Sequence, residues 1–261
     1  MNQEYVLLCG LLWRLMGKRV YLWRNHHSGN MLTRVAVLFC HKAFCTSRYS
    51  YTAQFKKTCF MPVGIDMDLF KPSLSAGPQP STTASRILFL GRVAPVKRPD
   101  VFVDALELLV KKSSADIYGD ALPKDQVYLD GLKKRVSESA ALSSRVSFFA
   151  GIPNAETVVV YQQHGVYVNL SSSGMYDKTI FEAMACGSLV LASNKNLEGV
   201  IDGRCVLGES EVNAEGVATK LEVLLALSEQ ERSNIVRRLV AVAGENSLQA
   251  LVSRLFEEMG K

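Results

Sequence analysis

The chain has 261 residues, of which 48% are hydrophobic and 21% are charged, and its formal net charge at pH 7 is +5. These values exclude a disordered or collagen-like chain and leave room for one large domain or two smaller ones with an apolar core. The mild excess of Lys and Arg suits phosphorylated ligands or an anionic membrane surface. No run of basic residues is present and basic residues do not alternate with aromatic ones, so we expect no nucleic-acid partner.

The six cysteines lack the spacing of a disulfide framework, and we expect reduced thiols in a cytoplasmic protein. Cys40, His41, Cys45 and Cys59 raise the alternative of a metal site. Their spacing matches no recognised zinc pattern, so we expect no metal.

The first 70 residues alternate between helical and strand patterns. An apolar segment at 5–16 predicts a helix that is too short to span a bilayer, and basic residues follow it. The protein is therefore expected in the cytoplasm, either free or in peripheral contact with the cytoplasmic face of the inner membrane. The other elements predicted in this part are strands at 19–23, 43–46 and 58–62, a helix at 30–39 and a helical turn at 47–55.

A segment rich in Pro, Ser and Thr at 73–85 predicts a linker, and strands then alternate regularly with helices. Such alternation predicts right-handed crossovers and a doubly wound, parallel, Rossmann-type sheet in an α/β domain. The predicted strands are 86–90, 115–118, 146–150, 166–170, 189–192 and 204–207, and the predicted helices lie near 98–112, 124–139, 154–163, 177–186 and from 210 onward.

The part before the linker has two or three predicted strands and no first strand with a Gly-rich turn. A half-domain of this size would leave apolar faces uncovered, so another segment or subunit would have to supply the partner layer. We therefore predict an incomplete N-terminal Rossmann-like α/β domain at 1–72, a ligand-binding domain at 86–245, and a C-terminal helix at 246–261 that packs back on the first domain.

The segment 171–193 carries the strongest functional signal. It consists of a small polar loop, a helix that Gly187 ends, and an apolar strand typical of a buried parallel sheet. Free backbone N–H groups and the helix dipole make the start of such a helix an anion site.

Glu182 lies one turn inside this helix, where a carboxylate suits the hydroxyl groups of a ribose better than a phosphate. The alternative is a capping box in which Thr179 and Glu182 only secure the helix start. Asp177 is the other candidate for the N-cap. Lys178 either offsets phosphate charge or is solvated.

A second signal follows the strand predicted at 86–90. Arg92 and Lys97 flank a tight loop after Gly91, and two cations at a strand end suit a diphosphate. The alternative is two solvated loop cations. Two weaker signals, each more typical of a turn when taken alone, follow predicted strands at Gly119-Asp120 and at Gly151.

Several motifs occur in a fixed order: Gly91-Arg-x4-Lys97, Gly119-Asp, Phe149-x-Gly151, and Glu182-Ala-Met-Ala-Cys-Gly187 followed by an apolar strand. Together they resemble the nucleotide-sugar domain of retaining GT-B glycosyltransferases, the group that includes sucrose and glycogen synthases. The segment Pro62-Val-Gly-Ile-Asp-Met-Asp-Leu-Phe-Lys-Pro72 is similar to the interdomain segment of that group. The resemblance spans residues 40–255 and implies a GT-B-like fold, with the acceptor side at 1–72 and the donor domain at 86–245.

By this resemblance, Arg92 and Lys97 hold the donor diphosphate and Glu182 takes the ribose hydroxyls. His26 or His27 resembles a histidine that faces the donor sugar in some members, and the alternative is two surface histidines in a loop. The catalytic candidates are Arg92, Lys97, His26 and His27. The implied donor-binding residues are Gly91, Arg92, Lys97, Gly119, Asp120, Gly151, Ser173, Gly174, Met175, Tyr176, Asp177, Lys178, Thr179 and Glu182.

The chain departs from the family pattern at the donor sugar. The pattern places a glutamate eight residues before Glu182, where this chain has Gly174. That carboxylate normally contacts sugar hydroxyls, so its absence leaves the identity of the donor sugar unpredicted. Asp177 can replace it only if the loop takes another path. The Gly-rich acceptor loop of the family is also absent, which implies a chain that begins inside the N-terminal domain.

The resemblance implies transfer of a sugar from a UDP- or GDP-sugar to a carbohydrate or lipid-linked acceptor, with retention of configuration, in polysaccharide or lipopolysaccharide biosynthesis. The nucleotide sugar is a substrate, and no cofactor or metal is expected. No pair of carboxylates suited to a covalent glycosyl intermediate is evident, which favours attack on the face that the diphosphate leaves. Two alternatives stay open: a non-catalytic nucleotide-sugar-binding half of a transferase, and a nucleotide-sugar epimerase of the same fold.

Overall fold

The computed structural model describes residues 3–73, 85–111, 113–171 and 174–260. The predicted linker therefore lies almost wholly outside the described residues. The helices are α1 (Gln3–Leu15), α2 (Met31–Phe39), α3 (Pro99–Leu108), α4 (Gln126–Glu138), α5 (Thr157–Gln162), α6 (Lys178–Ala185), α7 (Ala214–Leu225), α8 (Glu229–Glu245) and α9 (Leu248–Gly260). The strands are β1 (Tyr21–Trp23), β2 (Lys42–Cys45), β3 (Thr58–Phe60), β4 (Ile87–Leu90), β5 (Ala115–Tyr118), β6 (Val146–Phe149), β7 (Val166–Asn169) and β8 (Leu189–Ala192).

The first of two compact units comprises Met1–Gly64, Ser173–Tyr176 and Asn246–Lys261. Its sheet is parallel, in the order β1–β2–β3, and α1 packs against α2. Within the described part of the chain, no helix combines the length and apolarity that crossing a bilayer requires. The core of the unit is a cluster of buried residues from α1, α2 and the edge of the sheet: Val6, Val20, Leu22, Ala36, Val37 and Cys40.

Charged contacts around the buried Glu258 attach α9 to the sheet of this unit. Its Oε2 accepts hydrogen bonds from Lys42 Nζ at 2.8 Å and from Cys59 Sγ at 3.3 Å. Its Oε1 lies 2.8 Å from Arg254 Nη2. The hydrogen bonds from Lys42 and Cys59 lower the pKa of Glu258 to about 2. Because Lys42 and Cys59 lie on β2 and β3, the carboxylate connects the last helix to both strands.

The second unit comprises Ile65–Ser172 and Asp177–Glu245 and contains a five-stranded parallel sheet in the order β6–β5–β4–β7–β8. The chain moves outward from β4 to β6 on one side and from β7 to β8 on the other, so the strand order reverses between β4 and β7. Ile87, Leu88 and Leu191 are fully buried, as expected for apolar strands in a parallel sheet covered on both faces. The predicted doubly wound α/β fold is confirmed.

The helix α6 is enclosed by the second unit, where it packs against β8 and α8. Residues 180–185 are all buried, which explains the continuous apolar run around a single acidic residue. Gly187, with a φ of +85°, follows the helix and ends it in the left-handed region, as the sequence predicted.

The predicted strand at 204–207 is wrong. Gly203–Cys205 forms a 3-10 turn, and the Asp202 carboxylate caps it by accepting a hydrogen bond from Arg204 N at 3.0 Å. Val206 makes a single parallel bridge to Ala192. The apolar run is therefore explained by burial at the edge of β8 and not by a sixth strand.

Two glycines allow the ends of β4 and β5 to approach each other closely. Gly91 and Gly119 have φ values of +149° and +150°, which side chains disfavour. A Cβ on Gly119 would lie 1.9 Å from the carbonyl oxygen of Gly91. The backbone continues the ladder beyond the strands, since Gly91 N donates to Tyr118 O at 3.0 Å and Gly119 N donates to Phe149 O at 3.1 Å.

We predict that Gly119→Ala lowers the free energy of unfolding by roughly 2 kcal/mol, because the new methyl group collides with the backbone of Gly91 and the φ is unfavourable. Urea denaturation measures this loss. The control is Gly131→Ala on α4, where a Cβ meets open space and the substitution should stabilise the helix by roughly 0.5–1 kcal/mol. Equal effects of the two substitutions would contradict the close approach.

Candidate functional site

A cavity of about 340 Å³ opens at the carboxyl ends of β4, β5 and β6. Apolar and aromatic side chains and glycine backbone form most of its wall, and Arg92 and Asp120 are its charged residues, a pattern typical of small-molecule sites. The structure thus brings five predicted site residues together around one cavity. The lining residues are Leu90, Gly91, Arg92, Tyr118, Gly119, Asp120, Ala121, Leu122, Gly151 and Ile152.

Asp120 shapes this cavity by joining two strand ends. Its Oδ1 accepts a hydrogen bond from Gly151 N at 3.1 Å, and its carbonyl oxygen accepts one from Val93 N at 3.0 Å. A Cβ on Gly151 would lie 2.6 Å from Asp120 Oδ2, so glycine at this position leaves room for the carboxylate. Asp120, in the loop after β5, therefore connects the loops that follow β4 and β6.

The walls of the cavity offer an aromatic face and a cation. Tyr118 stacks on Phe149 with ring centroids 4.5 Å apart and ring planes at 13°. Arg92 is exposed, and within the described chain its guanidinium has no hydrogen-bond or ion-pair partner. An anionic ligand at the cavity would therefore find a cation that is not already neutralised.

Lys97, the second predicted cation, is paired with Asp177. Its Nζ lies 2.6 Å from Asp177 Oδ2, and the same oxygen accepts hydrogen bonds from Ser171 Oγ at 2.9 Å and Asn169 Nδ2 at 3.1 Å. Burial alone would raise the pKa of Asp177, but the charge of Lys97 and these three hydrogen bonds outweigh it and lower that pKa below its ordinary value. Asp177 is therefore ionised at neutral pH.

The carboxylate of Glu182 is buried, and two side chains from the β6–α5 loop and α5 hold it. Its Oε1 accepts a hydrogen bond from Asn154 Nδ2 at 3.2 Å, and its Oε2 accepts one from Tyr161 Oη at 3.3 Å. Burial raises the pKa of Glu182, and the hydrogen bonds from Asn154 and Tyr161, with the charge of Lys178, oppose that rise.

The alternative of a capping box at the start of α6 is wrong. Asp177 occupies the N-cap position but makes no side-chain cap hydrogen bond. Thr179 Oγ1 instead accepts a hydrogen bond from Tyr167 Oη at 2.9 Å. Since Glu182 bonds to Asn154 and not to the helix start, its carboxylate is not used for capping.

Sequence reasoning missed the residues that fix these carboxylates. Asn154, Tyr161, Asn169 and Ser171 hold Glu182 and Asp177. Asn154 is the first residue of the helix predicted near 154–163, and Ser171 follows the strand predicted at 166–170, so the available signal was a polar residue at the end of a predicted element. Tyr161 lies on a predicted helix and Asn169 inside a predicted strand, where nothing separates them from ordinary core residues.

The other predicted site residues belong to the first unit or lie on its loop. His26 and His27 stack with ring centroids 4.6 Å apart, and His26 Nδ1 accepts from Ser28 N at 3.1 Å. The carbonyl oxygen of Gly174 accepts from Ser47 Oγ at 2.7 Å. Met175 and Tyr176 are half-buried, Lys178 of the second unit is exposed, and Ser173 lies outside the described residues.

In the described stretches of the chain, no group of three or more His, Cys, Asp or Glu side chains is arranged to hold a metal ion. All six cysteines are free thiols. Burial raises the pKa of Cys40 to about 11 and the pKa values of Cys186 and Cys205 to about 12, so these three cysteines carry protonated thiols.

We predict that the raised pKa of Glu182 makes wild-type stability depend on pH. Between about pH 4, the ordinary carboxyl pKa, and the raised pKa of the folded state, the folded protein retains a proton that the unfolded chain has lost. The free energy of unfolding of the wild type should therefore fall relative to Glu182→Gln as pH rises through this range, as measured by urea denaturation at several pH values.

The control for this prediction is Glu209→Gln. Glu209 is an exposed residue whose pKa is lowered by its hydrogen bond with Lys195. Its substitution should give a weak dependence of opposite sign, because that carboxylate stabilises the fold at higher pH. A wild-type stability that rises with pH relative to Glu182→Gln would contradict the raised pKa.

The sequence matches relatives over part of its length. The D-inositol 3-phosphate glycosyltransferase of Segniliparus rotundus is 24% identical over 156 residues, which cover 55% of this chain and 33% of the relative. The enzyme of the same name from Mycobacterium leprae is 23% identical over 211 residues, which cover 76% of this chain and 48% of the relative. The chain thus spans a third to a half of the length of these curated relatives.

The fold is similar to that of a solved structure, Anabaena Alr3699/HepE in complex with UDP. The TM-score is 0.83 at 17% identity, and the match covers 99% of this chain and 77% of the other. The likeness supports the GT-B fold that the sequence predicted. The sequence model of the family described as "Glycosyl transferases group 1" matches residues 84–227, which is more than half of the chain. The chain therefore belongs to the glycosyl transferases group 1 family.

Proposed function

We propose that the protein transfers a sugar from a nucleoside diphosphate sugar to an acceptor hydroxyl. The observation that carries the proposal is a largely apolar cavity with Arg92 in its lining, which opens at the carboxyl ends of β4, β5 and β6 beside the point at which the strand order reverses. Open parallel sheets bind nucleotides at this place. The family membership and the UDP complexes of HepE support the same reading.

The donor fits the site in three parts. The base occupies the cavity, where Tyr118 and Ile152 offer apolar contacts and the glycine backbone offers hydrogen bonds. The ribose diol binds Glu182, whose two oxygens each accept one protein hydrogen bond and retain a free lone pair. The diphosphate lies between Arg92 and Lys97. We favour UDP over GDP because solved HepE complexes contain UDP and UDP-glucose.

In the reaction that we propose, the bond between sugar C1 and the diphosphate oxygen breaks, and a bond from C1 to the acceptor oxygen forms. The acceptor proton passes to the leaving diphosphate, whose growing negative charge Arg92, Lys97 and the start of α6 stabilise. Asp177 and Glu182 are both held by other groups. We therefore propose attack on the face that the diphosphate leaves, which retains the anomeric configuration, without a covalent glycosyl intermediate.

The acceptor in this proposal is a carbohydrate or a lipid-linked sugar at the cytoplasmic face of the membrane. Leu8 and Leu15 on α1 are 82% and 77% exposed, and Arg14 and Lys18 are close to Leu15 in the sequence. An apolar face with adjoining cations suits an anionic bilayer surface. Flotation with anionic phospholipid vesicles tests this contact, and recovery of the protein only in the soluble fraction would contradict it.

A second candidate is a nucleotide-sugar-binding protein without transferase activity. The pairing of Lys97 with Asp177 favours it, since the cation that the family uses on the diphosphate is already neutralised here. The presence of Gly174 where the family pattern has a glutamate points the same way. Binding of a nucleotide sugar without its turnover would distinguish this candidate from the transferase.

We predict that UDP, and UDP-glucose more strongly, raise the unfolding free energy of the wild type, whereas GDP and ADP have smaller effects. A ligand at 100 times its Kd adds about 2.7 kcal/mol, which thermal unfolding detects. Glu182→Ala and Arg92→Ala should abolish the effect of UDP. Glu198→Ala, at an exposed position that does not line the cavity, is the control and should preserve the effect of UDP.

Sugar transfer is measured by the release of UDP. The anomeric configuration of the first product is read from its anomeric proton signal in NMR. Retention predicts that the product has the anomeric configuration of the donor. If none of the nucleotides stabilises the protein, the donor site is contradicted. A product of inverted configuration would contradict the proposed mechanism but not the site.

A further inference from the structure

The Asp177 carboxylate at the start of α6 is fixed in an unusual way. All of its described hydrogen bonds go to one oxygen, Oδ2, which accepts from Lys97 Nζ, Ser171 Oγ and Asn169 Nδ2 at 2.6, 2.9 and 3.1 Å. The side chain of an N-cap residue commonly accepts a hydrogen bond from the backbone of the first turn, and the Asp177 side chain does not. The carboxylate is therefore committed to the lysine and not to the helix.

The groups that hold Asp177 make further hydrogen bonds of their own. Asn169, at the end of β7, also donates from Nδ2 to Tyr167 Oη at 3.1 Å, and its Oδ1 accepts from Ser171 N at 3.1 Å. The Tyr167 side chain is fully buried, and its Oη donates to Thr179 Oγ1 at 2.9 Å. The position of the carboxylate is thus set by hydrogen bonds from the end of β7, an interior strand of the sheet, which also reach the first turn of α6 through Tyr167 and Thr179.

The pair joins the two sides of the point where the strand order reverses. Lys97 lies in the loop after β4, and Asp177 follows β7, the neighbouring strand in the sheet. A lysine side chain is a flexible stem that loses rotamer entropy when it is fixed. In this protein the Lys97 side chain is already fixed by Asp177 before a ligand binds. The same carboxylate offsets the charge that would attract a diphosphate.

We propose that Asp177 is a positioning residue, which holds the Lys97 ammonium where charge develops on the leaving phosphate and thereby favours turnover at the expense of nucleotide affinity. The inference rests on the proposed function, because Lys97 has this role only if a diphosphate binds beside it. A ground-state ligand gains little from a neutralised cation, whereas a transition state gains from a donor that needs no reorganisation.

The test is Asp177→Asn, which keeps the shape of the side chain and removes its charge. We expect the Kd for UDP, measured by calorimetry, to fall about threefold, as for the loss of one partly exposed charge. We expect kcat for UDP release from UDP-glucose to fall about tenfold or more, because Lys97 is no longer held. Ser171→Ala, which removes one donor to Oδ2, should lower kcat less than Asp177→Asn does and leave the UDP Kd unchanged. If Asp177→Asn does not fold, Ser171→Ala tests the inference in its place.

The matched control is Asp202→Asn. Asp202 is ion-paired with Arg204 at 2.9 Å in the same unit but outside the candidate site, and its substitution should change neither constant. An unchanged kcat in Asp177→Asn, or a UDP Kd that weakens in proportion to kcat, would overturn the inference, since the second result indicates a merely structural role. A wild type that binds no nucleotide would instead contradict the proposed function and, with it, the role of Lys97.

Discussion

The parallel pairing of β4 with β7 is the constraint on which the rest of the site depends. The chain reaches β5 and β6 on one side of this pair and β8 on the other, so the loops that follow β4 and β7 diverge. The space between them is open at the carboxyl ends of the strands, where no crossover fills it. Lys97 and Asp177 lie on these two loops, and the cavity lies at the ends of β4, β5 and β6.

Packing and chemistry are closely linked at these strand ends. The positive φ of Gly119 and its contact with Gly91 bring two loops together, and Asp120 then uses its carboxylate to secure Gly151. These four residues serve the shape of the cavity. The charged groups that we assign to the donor are Arg92 and Lys97 in the loop after β4 and Glu182 on a largely buried helix. A rigid floor with few charged groups suits recognition of a ligand that carries its own charge.

The sequence predicted the doubly wound sheet because apolar strands and amphipathic helices alternate with clear turn residues. The motifs also placed Gly91, Gly119 and Gly151 at strand ends. Glycine is needed there because the backbone conformation or a close contact leaves no room for a side chain. It overpredicted a strand at 204–207, because a buried apolar run at the edge of a sheet has the same composition as a strand.

The partners of the charged groups could not be predicted. A sequence shows that Asp177 and Glu182 are five residues apart, but it does not show that one accepts from Lys97, 80 residues earlier, and the other from Asn154. Such pairings depend on which loops the tertiary fold brings together. The capping alternative failed for the same reason, because local spacing was judged without the distant donors that compete for the carboxylate.

The most direct test of this account is a crystal structure of the protein with UDP. The account predicts the base in the cavity beside Tyr118 and Ile152, the ribose hydroxyls within hydrogen-bond distance of Glu182, and the diphosphate at Arg92 and Lys97. A nucleotide bound away from the carboxyl ends of β4 and β7, or one whose ribose does not reach Glu182, would contradict it.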